Sequence, residues 1–243
     1  MSGKECLDVW GVKMFHVATS FFCLTFVLEE LKTIQFMHLC FRSFQRWSVR
    51  LSRLTHRCGY GVHSPFAFGL ITDVVYERRP YYAYAELRKA YEAGVKDGRW
   101  EGGGRRVNEL MFRLSNRIQP HTVCQVGEND AAHLYLHRAK PASTLHLCRA
   151  GEVGSKVFES IDLLYLAEYA HPYAMEEVFE HLLPAMNRSG LVAVRGIGYS
   201  KEMRTWWQRL KEHPQVGITF DLYDVGLVFL DLTRFKQHYS IFY

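Results

Sequence analysis

The sequence predicts an α/β fold in which a mostly parallel sheet ends in an antiparallel hairpin. After Pro120, short apolar strand-like runs alternate with helical segments, which is typical of a parallel sheet covered by helices on both faces. The run at 161–167, IDLLYLA, is almost wholly apolar, as a strand buried on both faces is. The last two strand-like runs, 216–222 and 226–230, are joined by only three residues, and so short a connection makes a hairpin. We therefore expect a Rossmann-like sheet with a terminal hairpin.

The chain divides into three predicted segments: an apolar N-terminal extension at 1–36, a helical cap at 37–119 and the Rossmann-like domain at 120–243. The apolar run at 15–28 is shorter than the roughly 20 residues that span a bilayer, so a membrane location is not expected. Three interpretations of this run stay open. It is a buried or capping helix, a stretch outside the working protein with the natural start at Met37, or a membrane anchor or signal.

Capping signals and apolar spacing predict the helices of the cap. Ser64 and Pro65 are a favoured N-cap and first-turn residue, and apolar residues continue at core spacing to Val75. We expect Pro80 to end this helix. The other predicted features of the cap are a basic amphipathic helix at 38–57, a glycine turn at 59–61, a helix at 84–92, a glycine-rich break at 98–104 and a helix at 108–118.

Six strands and three helices are predicted in the sheet domain. The strands are at 122–127, 144–148, 161–167, 190–195, 216–222 and 226–230, and the helices are at 131–138, 172–183 and 201–212. Right-handed crossovers and central placement of the most apolar strands predict the spatial order second, first, third, fourth, sixth, fifth. Only residues 149–160 join the second strand to the third, too few for the usual helix–strand–helix connection. We therefore expect the outer strand to be missing and 143–148 to lie at the sheet edge, covered by the N-terminal helices or by a second copy of the chain.

Composition indicates a globular protein, with 48% hydrophobic residues, 23% charged residues and a net charge of +5. Five arginines recur every three or four residues and form a basic stripe on the predicted helix at 38–57: Arg42, Arg46, Arg50, Arg53 and Arg57. Basic faces are usually only solvated, so no nucleic-acid partner is expected. The six cysteines include no Cys-x-x-Cys pair, which disfavours a zinc site and favours a reducing, cytoplasmic compartment.

From residue 56 onward, the chain resembles a bacterial family of class I S-adenosyl-L-methionine (SAM) methyltransferases of the O-methyltransferase kind. The segments that carry the resemblance are HRCGYGVHSPFAF at 56–68, YYAY at 81–84, 207–214, FDL at 220–222, 226–229 and KQHYSIFY at 236–243. A final hairpin inserted antiparallel into the sheet is also typical of that class. The resemblance implies SAM as cofactor, methyl transfer as chemistry and, in an active enzyme, a small-molecule acceptor.

The resemblance also implies where the cofactor would be held. The turn after the first strand reads QVGEND at 125–130; Gln125 replaces the expected acid, and Gly127 is its remaining glycine. The residues that we expect to contact the cofactor are Gly127, Glu128, Asn129 and Glu168.

Other positions depart from the family pattern. Cys148 stands where a carboxylate grips the ribose, and Ala167 and Arg195 stand where acids hold a metal, so no metal is expected. No catalytic residue follows from the pattern. We expect a degenerate, shortened member with weakened or lost cofactor binding, a pseudoenzyme in which Arg195 reaches Glu128, Asp130 or Glu168. The alternative function is a non-catalytic interaction or scaffold protein, with a homodimer as one form.

Overall fold

The computed structural model describes residues 62–102, 104–167, 171–241 and 243. The N-terminal extension, the predicted helix at 38–57 with its arginine stripe, and the glycine turn at 59–61 lie outside the described residues. So does Glu168. Among the residues that are described, no helix is both long and apolar enough to cross a bilayer.

Three helices precede the sheet. Helix α1 (Pro65–Leu70) begins as predicted, with the Ser64 hydroxyl accepting the Ala67 amide, and continues as a π-helical turn, Ile71–Val75. It ends at Val75 and not at Pro80, because the buried Arg113 guanidinium binds the carbonyls of Val74 and Val75 that end the helix. The next two helices are longer than predicted: α2 covers Tyr84–Lys96 and α3 covers Arg105–Ile118.

The sheet domain alternates strands and helices as predicted. Its elements are β1 (Thr122–Val126), α4 (Ala132–Ala139), β2 (Thr144–Cys148), a 3₁₀ helix (Ala150–Ser155), β3 (Ile161–Leu166), α5 (Pro172–Leu182), a 3₁₀ turn (Leu183–Ala185), β4 (Met186–Arg195), α6 (Lys201–Glu212), β5 (Ile218–Asp221), β6 (Val225–Phe229) and β7 (Gln237–Ser240).

The seven strands form one sheet in the order β2-β1-β3-β4-β6-β5-β7. Strands β1 to β4 are parallel, β6 inserts antiparallel between β4 and β5, and β7 adds parallel to β5. The predicted order of the first six strands and the terminal hairpin are confirmed. Apart from β7, this strand order is the one that the resemblance implies, without an outer strand beyond β2, because one short 3₁₀ helix is all that occupies the connection between β2 and β3. Strand β7 was not predicted.

The core lies on both faces of the sheet, and alternate residues of each strand supply it. Val123, Leu163 and Leu191 pack on one face with α1, α3 and α4. Cys124 and Leu164 face the other way and pack with α5 and α6. This arrangement brings the carboxyl ends of β1, β3 and β4 to one edge of the sheet, beside the start of α3.

A substitution at Gly226 of β6 tests how tightly the hairpin packs against α6. A Cβ atom added at Gly226 would lie 2.5 Å from the Trp207 ring, whereas one added at Gly154 meets nothing within 4 Å. We expect Gly226→Ala to lower the free energy of unfolding by about 1–3 kcal/mol through overpacking. Gly154→Ala, the matched control, should change it by less than about 0.5 kcal/mol. Denaturant titration of the full chain measures both values, and equal effects would contradict the packing.

Candidate cofactor crevice

The candidate site is the crevice at the carboxyl ends of β1, β3 and β4, where open α/β sheets bind ligands. Gly127 follows β1, Ala167 follows β3, and Arg195 is the last residue of β4. The sheet therefore brings together three of the positions that the sequence singled out.

Gly127 occupies a position that only glycine fills without strain. Its φ is +110° and its amide donates to the Cys148 carbonyl at 2.9 Å. A Cβ atom there would lie 2.9 Å from Cβ of Ala167 and 3.3 Å from the Ala167 carbonyl carbon. The resemblance predicts a glycine that a ligand approaches. In this chain, the end of β3 makes that close approach.

The Gln125 side chain stabilises the turn after β1 through hydrogen bonds. Its side chain is fully buried, and its Nε2 donates to the carbonyls of Gly127, at 2.9 Å, and Asp130, at 2.8 Å. A carboxylate, the group that the family pattern has here, accepts hydrogen bonds only and could make neither contact. The side chain at 125 therefore binds the protein's own loop.

Asp130 is the acid that faces Arg195. Its Oδ1 accepts the Ala132 amide at 2.9 Å, and its Oδ2 accepts the Tyr165 hydroxyl at 3.0 Å. Nε of Arg195 lies 3.8 Å from the same Oδ2, and the two side chains are 6% and 13% exposed. The expectation that Arg195 reaches one of the neighbouring acids is thus confirmed for Asp130, as a buried charge pair without a direct hydrogen bond.

Two ionisable neighbours of Asp130, Arg195 and Tyr165, keep their ordinary protonation. Burial lowers the pKa of Arg195, but its acidic neighbours, Tyr165 first, outweigh burial and hold that pKa above its usual value. Burial and the nearby Asp130 charge raise the pKa of Tyr165 well above its usual value. Arg195 therefore carries a permanent positive charge, and Tyr165 remains a neutral phenol that donates to Asp130.

The start of α3 covers this pair. A Cβ atom at Gly104 would lie 3.2 Å from Nη2 of Arg195 and 3.6 Å from Nδ2 of Asn108. Several buried polar atoms at the crevice have no hydrogen-bond partner among the described residues: Nε and Nη1 of Arg195, both side-chain polar atoms of Asn108, and Oε1 of Gln125. Buried polar atoms without a partner are costly, so they mark this region as one that was not packed for stability alone.

Two of the predicted cofactor contacts, Glu128 and Asn129, make hydrogen bonds to neighbouring residues. Glu128 accepts from Nε of Arg149, the residue after β2, at 2.8 Å, and both side chains are exposed. The Asn129 carbonyl accepts the Glu101 amide at 3.0 Å. Glu128 and Asn129 thus lie beside Gly127, and their roles towards a cofactor stay a prediction. Glu168 lies outside the described residues.

Cys148, which stands where the resemblance implies an acid, belongs to a buried thiol pair. It is fully buried, and Nζ of Lys156 lies 3.3 Å from its Sγ. Burial and contact with Cys148 raise the pKa of Cys124 to about 12. A neutral thiol lacks the two acceptor oxygens with which a carboxylate holds a ribose diol. In the part of the chain described, no three His, Cys, Asp or Glu side chains cluster as a metal site would need.

The sequence reasoning missed three contributors to this site. Tyr165 lies within the apolar run IDLLYLA. The signal that could have identified it as a site residue was a hydroxyl group near the carboxyl end of a predicted strand. Asn108, in the first turn of α3, and Arg149, directly after β2, had no signal in spacing. The turn after β1, the end of β2 and the end of β4 are each held by internal contacts or bear a group other than the one that the resemblance implies.

No family model matches the chain, and no curated protein matches it. Solved structures similar to it include the methyltransferase PaMTH1 from Podospora anserina, with SAH bound, at 10% identity and TM-score 0.48, covering 71% of this chain and 97% of that one. A methyltransferase from Geobacter sulfurreducens is similar at 13% identity and TM-score 0.47, covering 68% and 96%. The O-methyltransferase TomG from Streptomyces achromogenes, in complex with SAM, is similar at 14% identity and TM-score 0.44, covering 62% and 90%. At these values, the similarities assign no ligand and no activity to this chain.

The pair of Arg195 and Asp130 predicts an asymmetric cost of substitution. Asp130→Asn removes one of the two carboxylates that favour the buried cation, the other being Asp224, and should lower the free energy of unfolding by up to about 3 kcal/mol. Arg195→Met should cost less, because Asp130 keeps its hydrogen bonds from Ala132 and Tyr165. The double variant should be more stable than Asp130→Asn alone. Urea titrations of the three variants measure the coupling, and a double variant less stable than Asp130→Asn would show that the charges do not interact.

Cys124 predicts a loss of stability in alkali. Its native pKa, about 12, lies above the value of about 8.5 for an unfolded thiol. The resulting contribution is fully present below pH 8.5 and falls by up to about 1.4 kcal/mol per pH unit as pH rises above it. Cys124→Ala should make the free energy of unfolding decline less steeply between pH 8.5 and 10. Parallel slopes for the two proteins would contradict the assignment.

Proposed function

We propose that this chain is a non-catalytic protein on a class I methyltransferase fold, a pseudoenzyme whose cofactor crevice is closed by its own side chains. The observation that carries the proposal is the buried, permanently charged Arg195 at the end of β4, held beside Asp130. Two further features support it. Gln125 turns its amide to the loop that would cradle a ligand, and Ala167 fills the space in front of Gly127.

The positive charge of Arg195 disfavours the binding of SAM in this crevice. The reactive sulfur of SAM is a sulfonium cation, and a buried guanidinium repels a second positive charge where water does not screen it. The acids that could offset this repulsion are committed, since Asp130 faces Arg195 and Glu128 binds Arg149. S-adenosylhomocysteine (SAH) has a neutral sulfur and avoids this repulsion, although it meets the same filled turn.

The family's chemistry is the competing proposal. The sheet order and the positive φ of Gly127 are retained, and an active protein would use SAM to methylate a small-molecule acceptor. Such a transfer needs positioning for in-line displacement at the methyl carbon and no covalent intermediate. Binding of the cofactor separates the two proposals, because a methyltransferase must bind SAM.

Isothermal titration of the full chain with SAM and with SAH tests the pseudoenzyme proposal. We expect no saturable binding of either compound up to about 1 mM, because the positions that would hold them are internally bonded. Micromolar binding of either one would overturn the proposal and favour the methyltransferase.

Arg195→Met distinguishes charge from space in the same titration. If the buried charge excludes the cofactor, this variant should gain affinity for SAM more than for SAH. Equal gains would indicate that the volume of Arg195, and not its charge, closes the crevice. Arg209→Met is the matched control, since Arg209 is an exposed arginine of α6 paired with Glu176.

As a non-catalytic protein, the chain would act through a surface, and we propose the β2 edge. Among the described residues β2 pairs only with β1, and Leu147 on it is partly exposed. An open edge strand is usually covered, and we propose that the N-terminal helices or a second copy of the chain in a homodimer cover this one. Light scattering and hydrogen exchange on the full chain test this. A monomer whose β2 amides exchange freely would contradict it.

The compartment that we propose is the cytoplasm. The buried thiols of Cys124 and Cys148 are neighbours and are not joined in a disulfide. Adjacent free thiols are the usual state of cysteines in a reducing compartment.

A further inference from the structure

We infer that a second cavity, apart from the crevice, is a binding site for a small phosphorylated molecule. The cavity is about 330 Å³ and lies between the end of α1, the start of α2, α3 and Tyr243. Five arginine and two glutamate side chains line it, and it shares no lining residue with the crevice.

Arg113 of α3 forms the floor of this phosphate cavity. It is 7% exposed, and its guanidinium donates to the Val74 carbonyl at 2.7 Å, the Tyr84 hydroxyl at 3.2 Å and the Val75 carbonyl at 3.4 Å. No Asp or Glu of the described residues lies within ion-pair distance of it. Tyr243 also hydrogen-bonds this guanidinium and favours its charged form. No acidic side chain of the described residues pairs with Arg113, and an anion in the cavity would add the counter-charge that a buried guanidinium favours.

Arg106 and Arg78 stand at the exposed rim of the cavity. The Arg106 guanidinium lies over the Tyr243 ring, 4.6 Å from its centroid, and the Tyr243 hydroxyl donates to the Arg106 carbonyl at 2.8 Å. Stacking on an aromatic face leaves the in-plane N–H donors of a guanidinium available. Neither Arg106 nor Arg78 pairs with an acid in the part of the chain that is described.

Both glutamates of the cavity are already engaged by other arginines. Glu109 accepts from Nε of Arg88 at 2.7 Å, and Glu77 lies 3.9 Å from Nε of Arg79. Among the lining side chains, positive charges therefore outnumber negative charges by three. Three of the arginines, one at the floor and two at the rim, pair with no acidic side chain of the described residues.

This charge arrangement fits a phosphate group better than a single carboxylate. A phosphate monoester carries nearly two negative charges at neutral pH and three acceptor oxygens, whereas a carboxylate carries one charge and two. Planar guanidinium forks match phosphate oxygens in pairs. The volume leaves room for a small organic group attached to the phosphate, at the scale of the smallest ligand pockets.

The test uses inorganic phosphate and glycerol 3-phosphate as probes, titrated calorimetrically into the full chain at fixed ionic strength. We expect both to bind saturably, the organic phosphate more tightly if the natural ligand is a phosphorylated molecule and equally if it is free phosphate. Arg106→Gln should weaken both about tenfold, because one charge-assisted contact is lost. Glu109→Gln should strengthen both several-fold, because a negative charge leaves the cavity.

Arg117→Gln, an exposed substitution in the last turn of the same helix and outside the cavity, is the matched control and should leave both affinities unchanged. Arg106 is exposed, so its variant should fold, and an unchanged circular-dichroism spectrum verifies this. No saturable binding of either probe up to about 10 mM would overturn the inference. So would equal losses in Arg106→Gln and Arg117→Gln. None of these outcomes depends on whether the crevice binds SAM.

Discussion

The buried positive charge of Arg195 is the constraint around which the crevice is built. A guanidinium taken out of water needs a nearby counter-charge, and Asp130 supplies it. Asp130 is positioned in turn by the Tyr165 hydroxyl and the Ala132 amide, while its carbonyl is held by Gln125. The loop that holds a ligand in the resembling family therefore holds a counter-ion in this chain. Three segments pack around this charge pair: the start of α3, the end of β3 and the turn after β1.

Most of the fold could be predicted because the positions of apolar residues in the sequence identify the strands of the sheet. The strands buried on both faces stand out as apolar runs, and the short link between β5 and β6 leaves no choice but a hairpin. Strand β7 has the polar sequence QHYS and three exposed residues of four, so hydrophobic pattern gave no signal for it. The end of α1 was misplaced because Arg113, distant in the chain, binds the carbonyls that end that helix.

The site could be predicted only for those residues whose position is determined by the end of a strand. Parallel strands bring Gly127, Ala167 and Arg195 to one edge, so the meeting of Arg195 with an acid followed from topology and charge. Which acid Arg195 contacts depends on the direction of the side chains. The hydroxyl of Tyr165 was not recognised because it lies in an otherwise apolar strand. The contrast between Arg195 and Arg113 was likewise not visible in the sequence. Both guanidiniums are buried, but the first faces a carboxylate and the second faces neutral oxygens.

The two hydrogen bonds from Gln125 also bear on how such a site could change over generations. A carboxylate placed at this position would direct its oxygens at the carbonyls of Gly127 and Asp130, which lie 2.8–2.9 Å from the Gln125 nitrogen. Oxygen would face oxygen at hydrogen-bond distance, without a proton to share. The loop would have to change its conformation before a carboxylate fitted, so a single substitution to an acid passes through an unfavourable intermediate. Gln125 thereby keeps the crevice in its present form.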